Sequence, residues 1–190
     1  ITAASAAESN HVRALLMDSS GGGPPGEQLL LELSDGFIPL AGLPGSAQRY
    51  AFLRRNTPTK AIRVHVNQRP AGPDALRSDP ALPGFAQETL AADHIVPMRT
   101  IWELPGFHDL WLENQLAVLN FRRNFLGLTT SANSSKSKLS FAEWTHHKSS
   151  GTAVRRRFRR KMIRREMKVK SQLRQEIERL LGLQKNYLEQ

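Results

Sequence analysis

The stretch that decides the fold is Asp93-His94-Ile95-Val96-Pro97. Residues 92–96 have the length and apolar character of a short strand, and Pro97 ends it because proline cannot donate to a strand ladder. The stretch therefore places a carboxylate and an imidazole side by side near the end of a strand. Two polar sites lie downstream, at Asn124 and at Asn133-Ser134-Ser135-Lys136.

These residue types suggest hydrolysis of a phosphodiester. Asp93 and Asn133 can offer hard oxygen ligands to a divalent ion. His94 can take a proton from water, for which its ring must be neutral, as expected of an imidazole with a pKa near its ordinary value. Lys136, near the start of a predicted helix, can contact a phosphate. We therefore expect a one-metal site in this part of the chain.

The pattern resembles the HNH (ββα-metal) endonuclease family over about residues 88–147. The matching segments are Asp93-His94-Ile95-Val96-Pro97 for the first strand, Asn124-Phe125-Leu126-Gly127-Leu128-Thr129 for the second, and Asn133-Ser134-Ser135-Lys136 for the start of the closing helix. The resemblance implies an α+β fold with a ββα-metal core. The segment between His94 and Asn124 is longer than in the compact family pattern, so an inserted loop or helix is expected there.

The resemblance also implies roles for individual residues. His94 would be the general base, and Asp93 and Asn133 would hold Mg²⁺ or another divalent ion such as Mn²⁺, Ni²⁺ or Zn²⁺. Asn124 would orient the ring of His94, with Asn114 and Asn120 as alternatives for that position. His146 and His147 are adjacent, and two neighbouring side chains on a helix point in different directions, so a shared ion there is not expected.

Within the family, the chain is most similar to the HNH toxin domains at the C-termini of bacterial polymorphic and type VI secretion effectors. The segments that carry this likeness are 90–97, 116–120, 124–128, 132–138 and 141–144. It implies a DNase secreted by a bacterial delivery system, active in the cytoplasm of the target cell and blocked by a cognate immunity protein. A phage or restriction HNH endonuclease remains an alternative, as does an RNase.

The positive charge is concentrated at the C-terminal end. Residues 1–147 contain 13 Lys and Arg and 13 Asp and Glu, whereas residues 148–190 contain 14 and 4, which accounts for the whole net charge of +10. Such asymmetry favours a polyanionic partner, most simply nucleic acid, although RNA or an acidic protein could use the same charges. We expect double-stranded DNA, contacted through its backbone. The candidate contacts are Arg155, Arg156, Arg159, Arg160 and Arg164. A catalytically inactive, basic nucleic-acid-binding module is the alternative from another functional class.

Four segments follow from composition and periodicity. Residues 1–27 are predicted to be a flexible linker, 28–87 a β-rich portion, 88–147 the catalytic core, and 148–190 a basic helical extension. In the β-rich portion, Ile62, Val64 and Val66 alternate with polar residues as in a half-buried strand. The C-terminal helix is predicted to run from an N-cap at Thr152 to about Leu181, where Gly182 would stop it.

The remaining composition excludes several classes of protein. The chain has no Cys, so neither disulfides nor a Cys-ligated zinc can stabilise it. It has no run of about 18 apolar residues, so no membrane span is expected. We see no signal peptide, and the start at Ile1 without an initiator Met suggests a piece of a longer protein.

Overall fold

The computed structural model describes residues 46–68 and 75–189, which combine helices with two small antiparallel sheets. The helices are α1 (Ser46–Arg55), α2 (Lys60–Val66), α3 (Met98–Trp102), α4 (Leu112–Leu119), α5 (Thr130–Lys136) and α6 (Arg156–Leu188). The strands are β1 (Arg77–Ser78), β2 (Ala86–Gln87), β3 (Ala91–His94) and β4 (Phe125–Leu128), with 3₁₀ turns at Phe107–Asp109 and Arg122–Asn124. The class is therefore α+β with a long C-terminal helix, as predicted.

A strand, a strand and a helix form the centre of the described region. β3 pairs antiparallel with β4, and α5 follows β4 directly and packs against both strands. Thr129 caps α5, because its hydroxyl oxygen accepts the N–H of Ala132 at 3.2 Å. The cap is held by the fully buried carboxylate of Asp79, whose Oδ2 accepts the backbone N–H of Thr129 at 2.6 Å and its hydroxyl at 2.9 Å.

The two faces of this sheet pack against different helices. Side chains alternate along a strand, so Asp93 emerges on one face and His94 on the other. The first face carries Leu126 and Leu128 and packs against α5. The second face packs against α2, where a Cβ added to Gly127 would lie 3.2 Å from the backbone oxygen of Val66. The absence of a side chain at Gly127 is what allows this close approach.

Helix α6 joins two hydrophobic clusters. Its N-terminal half contributes Met162 to a cluster around the sheet and α5, which includes Trp144. Its C-terminal half contributes Val169, Leu173, Ile177 and Leu180 to a second cluster formed with α1, α3 and α4. These buried residues recur at spacings of three, four and seven along α6, which is the apolar stripe of an amphipathic helix.

Where the structure describes it, the predicted β-rich portion is mainly helical, and its strands are the two-residue β1 and β2. Ile62, Val64 and Val66 lie on α2 rather than on a strand, and Val64 is 56% exposed. The alternation was misleading because only Ile62 is buried; the helix is chosen by its packing against β3 and β4, which short-range periodicity cannot detect. The apolar runs at 29–33 and 37–40 lie outside the described residues.

The limits predicted for the C-terminal helix were also wrong. Thr152 does not cap it, and α6 continues six residues past Gly182. The reason is Gln184, whose buried Oε1 accepts the N–H of Trp111 at 3.0 Å and an amide N–H of Asn114 at 2.7 Å. These bonds hold the last turns on the core, and a glycine inside a helix costs only about 1 kcal/mol. In the described ranges, no helix is long and apolar enough to cross a membrane.

The contribution of α6 to the core can be measured with Leu173→Ala. Leu173 is fully buried, so we expect the free energy of unfolding in urea to fall by about 2–5 kcal/mol. Met167→Ala on the same helix is the matched control, because Met167 is 68% exposed and its loss should change stability by no more than about 0.5 kcal/mol. Equal losses in the two variants would contradict the packing of α6.

Candidate functional site

A buried ion pair lies at the end of β3. The ammonium of Lys136 on α5 is 3.0 Å from Oδ2 of Asp93, and the two side chains are 0% and 4% exposed. The same ammonium donates to the backbone oxygen of His94 at 2.9 Å and lies 4.9 Å from the ring centre of Phe141. Lys136 therefore directs its charge at a carboxylate, a carbonyl and an aromatic ring inside the protein.

This position differs from the one expected from the sequence. We predicted that Lys136 would contact a phosphate, but its side chain is fully buried and paired with Asp93. The physical reason is that Lys136 lies one turn beyond Asn133, on the side of α5 that packs against β3. A carboxylate buried there needs a cation, and Lys136 supplies it.

Burial changes the proton affinity of Asp93 in spite of this partner. Removal from water raises the pKa of the carboxyl to about 6, and the ammonium of Lys136 opposes the shift. Glu166 on α6 adds a smaller upward contribution, and it accepts the backbone N–H of Phe141 at 2.9 Å. Asp93 is therefore ionised at neutral pH but gains a proton under mildly acidic conditions.

The ring of His94 is held by its Nε2 atom. This atom lies 3.0 Å from the backbone oxygen of Leu119 and 3.4 Å from the hydroxyl of Thr57. A carbonyl oxygen only accepts, so Nε2 carries the proton and Nδ1 keeps its lone pair. Within the described residues, Nδ1 has no hydrogen-bond partner. The ring also packs against Phe125, with centroids 4.3 Å apart.

The pKa of His94 lies far below its ordinary value. Desolvation by burial lowers it to about 4, because an imidazolium is disfavoured away from water, and the hydrogen bond to Leu119 only partly opposes this. The ring is therefore neutral at pH 7, as a base must be. The expectation of a pKa near 6.5–7 was wrong, since it took no account of the helices that cover this face of the sheet.

Asp93 and His94 lie at the same end of the sheet but on opposite faces. Asp93 meets α5, whereas His94 meets the C-terminal end of α4 and the turn between α1 and α2. His94 is the last residue of β3. A ligand can therefore reach both side chains only by lying across this strand end.

Asn124 does not orient the ring of His94. Its amide forms two hydrogen bonds with one residue of the segment that follows β3: Oδ1 accepts the N–H of Val96 at 2.7 Å, and Nδ2 donates to the Val96 oxygen at 3.2 Å. Its backbone oxygen accepts the N–H of Ile95 at 2.7 Å. Asn124 is fully buried and extends the pairing of β3 and β4 beyond their ends. The His94 ring is oriented instead by the backbone oxygen of Leu119.

The two alternative asparagines also have structural contacts. Asn114 is buried against α6 and donates to Gln184. Asn120 accepts the N–H of Thr59 at 3.0 Å and donates to the oxygen of Asn56 at 3.2 Å. These two bonds fix the turn that carries Thr57, so Asn120 supports the His94 ring indirectly.

Of the two predicted metal ligands, Asn133 is the one whose side chain has no partner within the described residues. It is half-buried on α5, one turn before Lys136, and within the described residues its amide makes no hydrogen bond. Asp93 and Asn133 thus offer one carboxylate and one amide from neighbouring elements. In the described ranges, no three His, Cys, Asp or Glu side chains come together as a metal site.

The two adjacent histidines lie in different environments. His146 is exposed, whereas His147 is buried and its ring packs at a tilt against Phe85, with centroids 4.9 Å apart. Nδ1 of His147 accepts the backbone N–H of Ser150 at 3.1 Å, so its Nε2 donates to Ser131 at 3.0 Å. His147 therefore ties the loop after α5 back to that helix.

The arginines predicted to contact a nucleic-acid backbone divide into two groups. Arg155 donates to the backbone oxygen of Asp79 at 3.3 Å, and Arg159 donates to the oxygens of Phe141 and Ala142 at 3.0 and 2.7 Å. These two side chains attach α6 to the core, which differs from the role predicted for them. The other three are exposed and form no hydrogen bond within the described region: Arg156, Arg160 and Arg164.

Two contributors to the site had no signal in the sequence. Thr57 reaches His94 from a segment that was predicted to be β-rich. Asp79 holds the cap of α5 from 50 residues away along the chain. Neither belongs to a motif, and only the folding of distant segments onto the sheet brings them together.

The protonation of His94 can be measured by following the histidine ring protons by NMR as the pH is lowered. We expect the His94 ring to stay neutral until about pH 4, because burial lowers its pKa. Since the folded pKa lies below the ordinary 6.5, the stability linked to this ring is present above about 6.5 and is lost as the pH falls towards 4. Titration at 6.5 or above would contradict the packing around the ring.

The Lys136–Asp93 pair can be tested by a double-mutant cycle. Lys136→Met leaves a buried carboxylate without its cation, and we expect a loss of about 3–5 kcal/mol in the free energy of unfolding. Asp93→Asn/Lys136→Met removes both charges and should lose clearly less than the single variant. Additive losses, measured by urea denaturation at pH 7.5, would show that the two groups do not interact.

Comparison with known proteins gives no independent assignment. No family model matches the sequence, and no curated protein and no solved structure shows significant similarity to it.

Proposed function

We propose that the chain is a metal-dependent endonuclease of the HNH type, with largely non-specific cleavage of double-stranded DNA. The observation that carries the proposal is the strand end at residues 93–94. There a neutral imidazole, with its proton fixed on Nε2 and its Nδ1 lone pair unused, follows a carboxylate that is ionised at neutral pH. The order strand, strand, helix around it supports an HNH-like core.

The chain supplies a base on one face of the strand end and oxygen ligands on the other. Nδ1 of His94 would take the proton from the attacking water, while Leu119 keeps the other nitrogen protonated. A pKa of about 4 makes the free ring a weak base. An anionic phosphate bound next to the ring would raise that pKa, because an opposite charge favours the imidazolium.

Asp93 and Asn133 are the residues that would hold the divalent ion. One carboxylate and one amide, completed by water, suit Mg²⁺ or Mn²⁺, whereas Zn²⁺ prefers three or four nitrogen and sulfur ligands. When bound, such an ion stabilises the negative charge that develops on the scissile phosphate. The ammonium of Lys136 stays on the protein side of Asp93 and keeps the carboxylate ionised in the absence of the ion.

The biological setting is proposed from the sequence resemblance. The likeness to C-terminal toxin domains supports an antibacterial effector, delivered by a secretion system, that acts in the cytoplasm of the target cell. A cognate immunity protein would then protect the producing cell. A phage or restriction enzyme of the same chemistry is the alternative setting.

A second candidate function is a nucleic-acid-binding module without turnover. The observation that favours it is the Lys136–Asp93 ion pair, because a carboxylate already neutralised inside the protein has less need of a metal. This candidate keeps the basic helix as the functional part. It predicts binding of DNA without cleavage under any metal condition.

Cleavage of supercoiled plasmid separates the two candidates. We expect nicking in Mg²⁺ or Mn²⁺, none in EDTA, and a loss of about 10²–10⁴-fold in rate for His94→Ala, since a general base contributes about that much. His146→Ala is the matched control, because the side chain of His146 is exposed and, within the described residues, hydrogen-bonds only to the neighbouring hydroxyl of Thr145. A structured RNA assayed in parallel reports the preferred nucleic acid.

The outcomes are distinct. Circular dichroism must first show that His94→Ala is folded. Cleavage by the folded His94→Ala variant at the wild-type rate would overturn the assignment of the base. DNA binding with no cleavage in any divalent ion would overturn the nuclease and leave the binding module.

A further inference from the structure

The N-terminal half of α6 separates its basic residues into an inner and an outer set. Besides Arg155 and Arg159, Arg165 belongs to the inner set, since it donates to the backbone oxygens of Arg123 and Phe125 at 3.2 and 3.3 Å. These three side chains bind carbonyl groups of the core. The outer set makes no such contacts within the described residues, and its arginines are Arg156, Arg157, Arg160 and Arg164.

Three arginines of the outer set form a stripe along the helix. Arg157, Arg160 and Arg164 are exposed, and with Ile163 they line an open depression of about 590 Å³. Their spacing of three and four residues places them on one side of α6. Within the described residues, none of the three forms a salt bridge or a hydrogen bond.

No acidic side chain neutralises this stripe. Glu166 is the one acid between residues 155 and 175, and it is half-buried where it accepts the backbone N–H of Phe141. Lys161 and Lys168 are exposed on the same side of the helix, which extends the positive surface in both length and width. A solvated helix with mixed charges would carry acids among these positions.

We propose that the Arg157–Arg160–Arg164 stripe is the docking surface for the phosphate backbone of duplex DNA. Seven residues of helix span about 10 Å. Over that length one strand of B-DNA presents about three phosphates, at one per 3.4 Å along the axis. The guanidinium fork binds the oxygens of a phosphate in two parallel hydrogen bonds. Because three guanidinium groups at this spacing match the regular repeat of phosphates along one strand, duplex DNA is favoured over an acidic protein surface.

The stripe binds without reading sequence. Contacts to phosphates fix the position of a protein on the duplex but carry no base information. This inference rests on the proposed function for the identity of the polyanion as DNA, but it does not require turnover. The residues that bind the phosphates are then Arg157, Arg160 and Arg164. Arg155 and Arg159, which were predicted from the sequence to bind them, hold α6 on the core instead.

The test measures binding separately from cleavage. The full chain with His94→Ala, in EDTA, is titrated against a fluorescent 25-base-pair duplex at several salt concentrations. In that background, Arg157→Gln/Arg160→Gln/Arg164→Gln should reduce the slope of log K against log salt by about 2.7, which is 0.9 for each lost phosphate contact. Affinity at 0.1 M salt should fall on the order of a hundred-fold or more.

Two matched variants control for net charge and for the inner arginines. Arg54→Gln/Lys60→Gln/Arg174→Gln removes the same three charges from exposed positions elsewhere, and the slope should change by less than one. Arg159→Gln should lower thermal stability, because it removes bonds to Phe141 and Ala142, and should leave the slope nearly unchanged.

Each outcome decides the inference. A selective loss of slope in the stripe variant supports it, even if the plasmid assay shows no cleavage by the wild type. Equal losses in the stripe variant and the charge-matched control would overturn it, because general electrostatics would then explain binding. Unchanged binding of the stripe variant would also overturn it, while leaving the proposed nuclease chemistry to be judged by plasmid cleavage.

Discussion

The ion pair between Lys136 and Asp93 is the interaction on which the rest of the site depends. A carboxylate that is 4% exposed would be costly without a cation, and the ammonium that neutralises it also binds the backbone oxygen of His94. One side chain therefore holds α5 against the end of β3 and fixes the charge of Asp93. Any divalent ion at Asp93 must share that carboxylate with an ammonium, which makes the strength of metal binding dependent on Lys136.

The long C-terminal helix shows how one residue type can serve two purposes. Some arginines, such as Arg159 and Arg165, donate to backbone oxygens of the core and so attach the helix to it. Arginines one step around the helix, such as Arg160, keep their charge for solvent or a ligand. The helix can do both because its apolar residues occupy only one stripe, from Met162 to Leu180, and leave two flanks for cations.

The sequence predicted the centre of the fold better than its surroundings. A strand at Asp93 and His94, a strand after Asn124 and a helix containing Asn133 are all observed, because each is signalled by local apolar patterns, proline and capping residues. The strand expected around Val64 was wrong, since the apolar alternation there belongs to a helix that packs on the sheet. The roles of side chains were also harder to predict than the elements that carry them. The partners predicted for Lys136 and Asn124 were wrong, because both side chains contact segments that are distant in the sequence.

By itself, the sequence determined the α+β class, the short strand that ends in a carboxylate and an imidazole, and the concentration of positive charge after residue 147. These are local or compositional properties, and no tertiary contact is needed to define them. Only the tertiary structure decided that Lys136 neutralises Asp93, that Leu119 fixes the proton on the His94 ring, and which arginines of α6 face outward. Each of these depends on burial, and burial is set by which distant segments pack together, a property that residue order alone does not reveal.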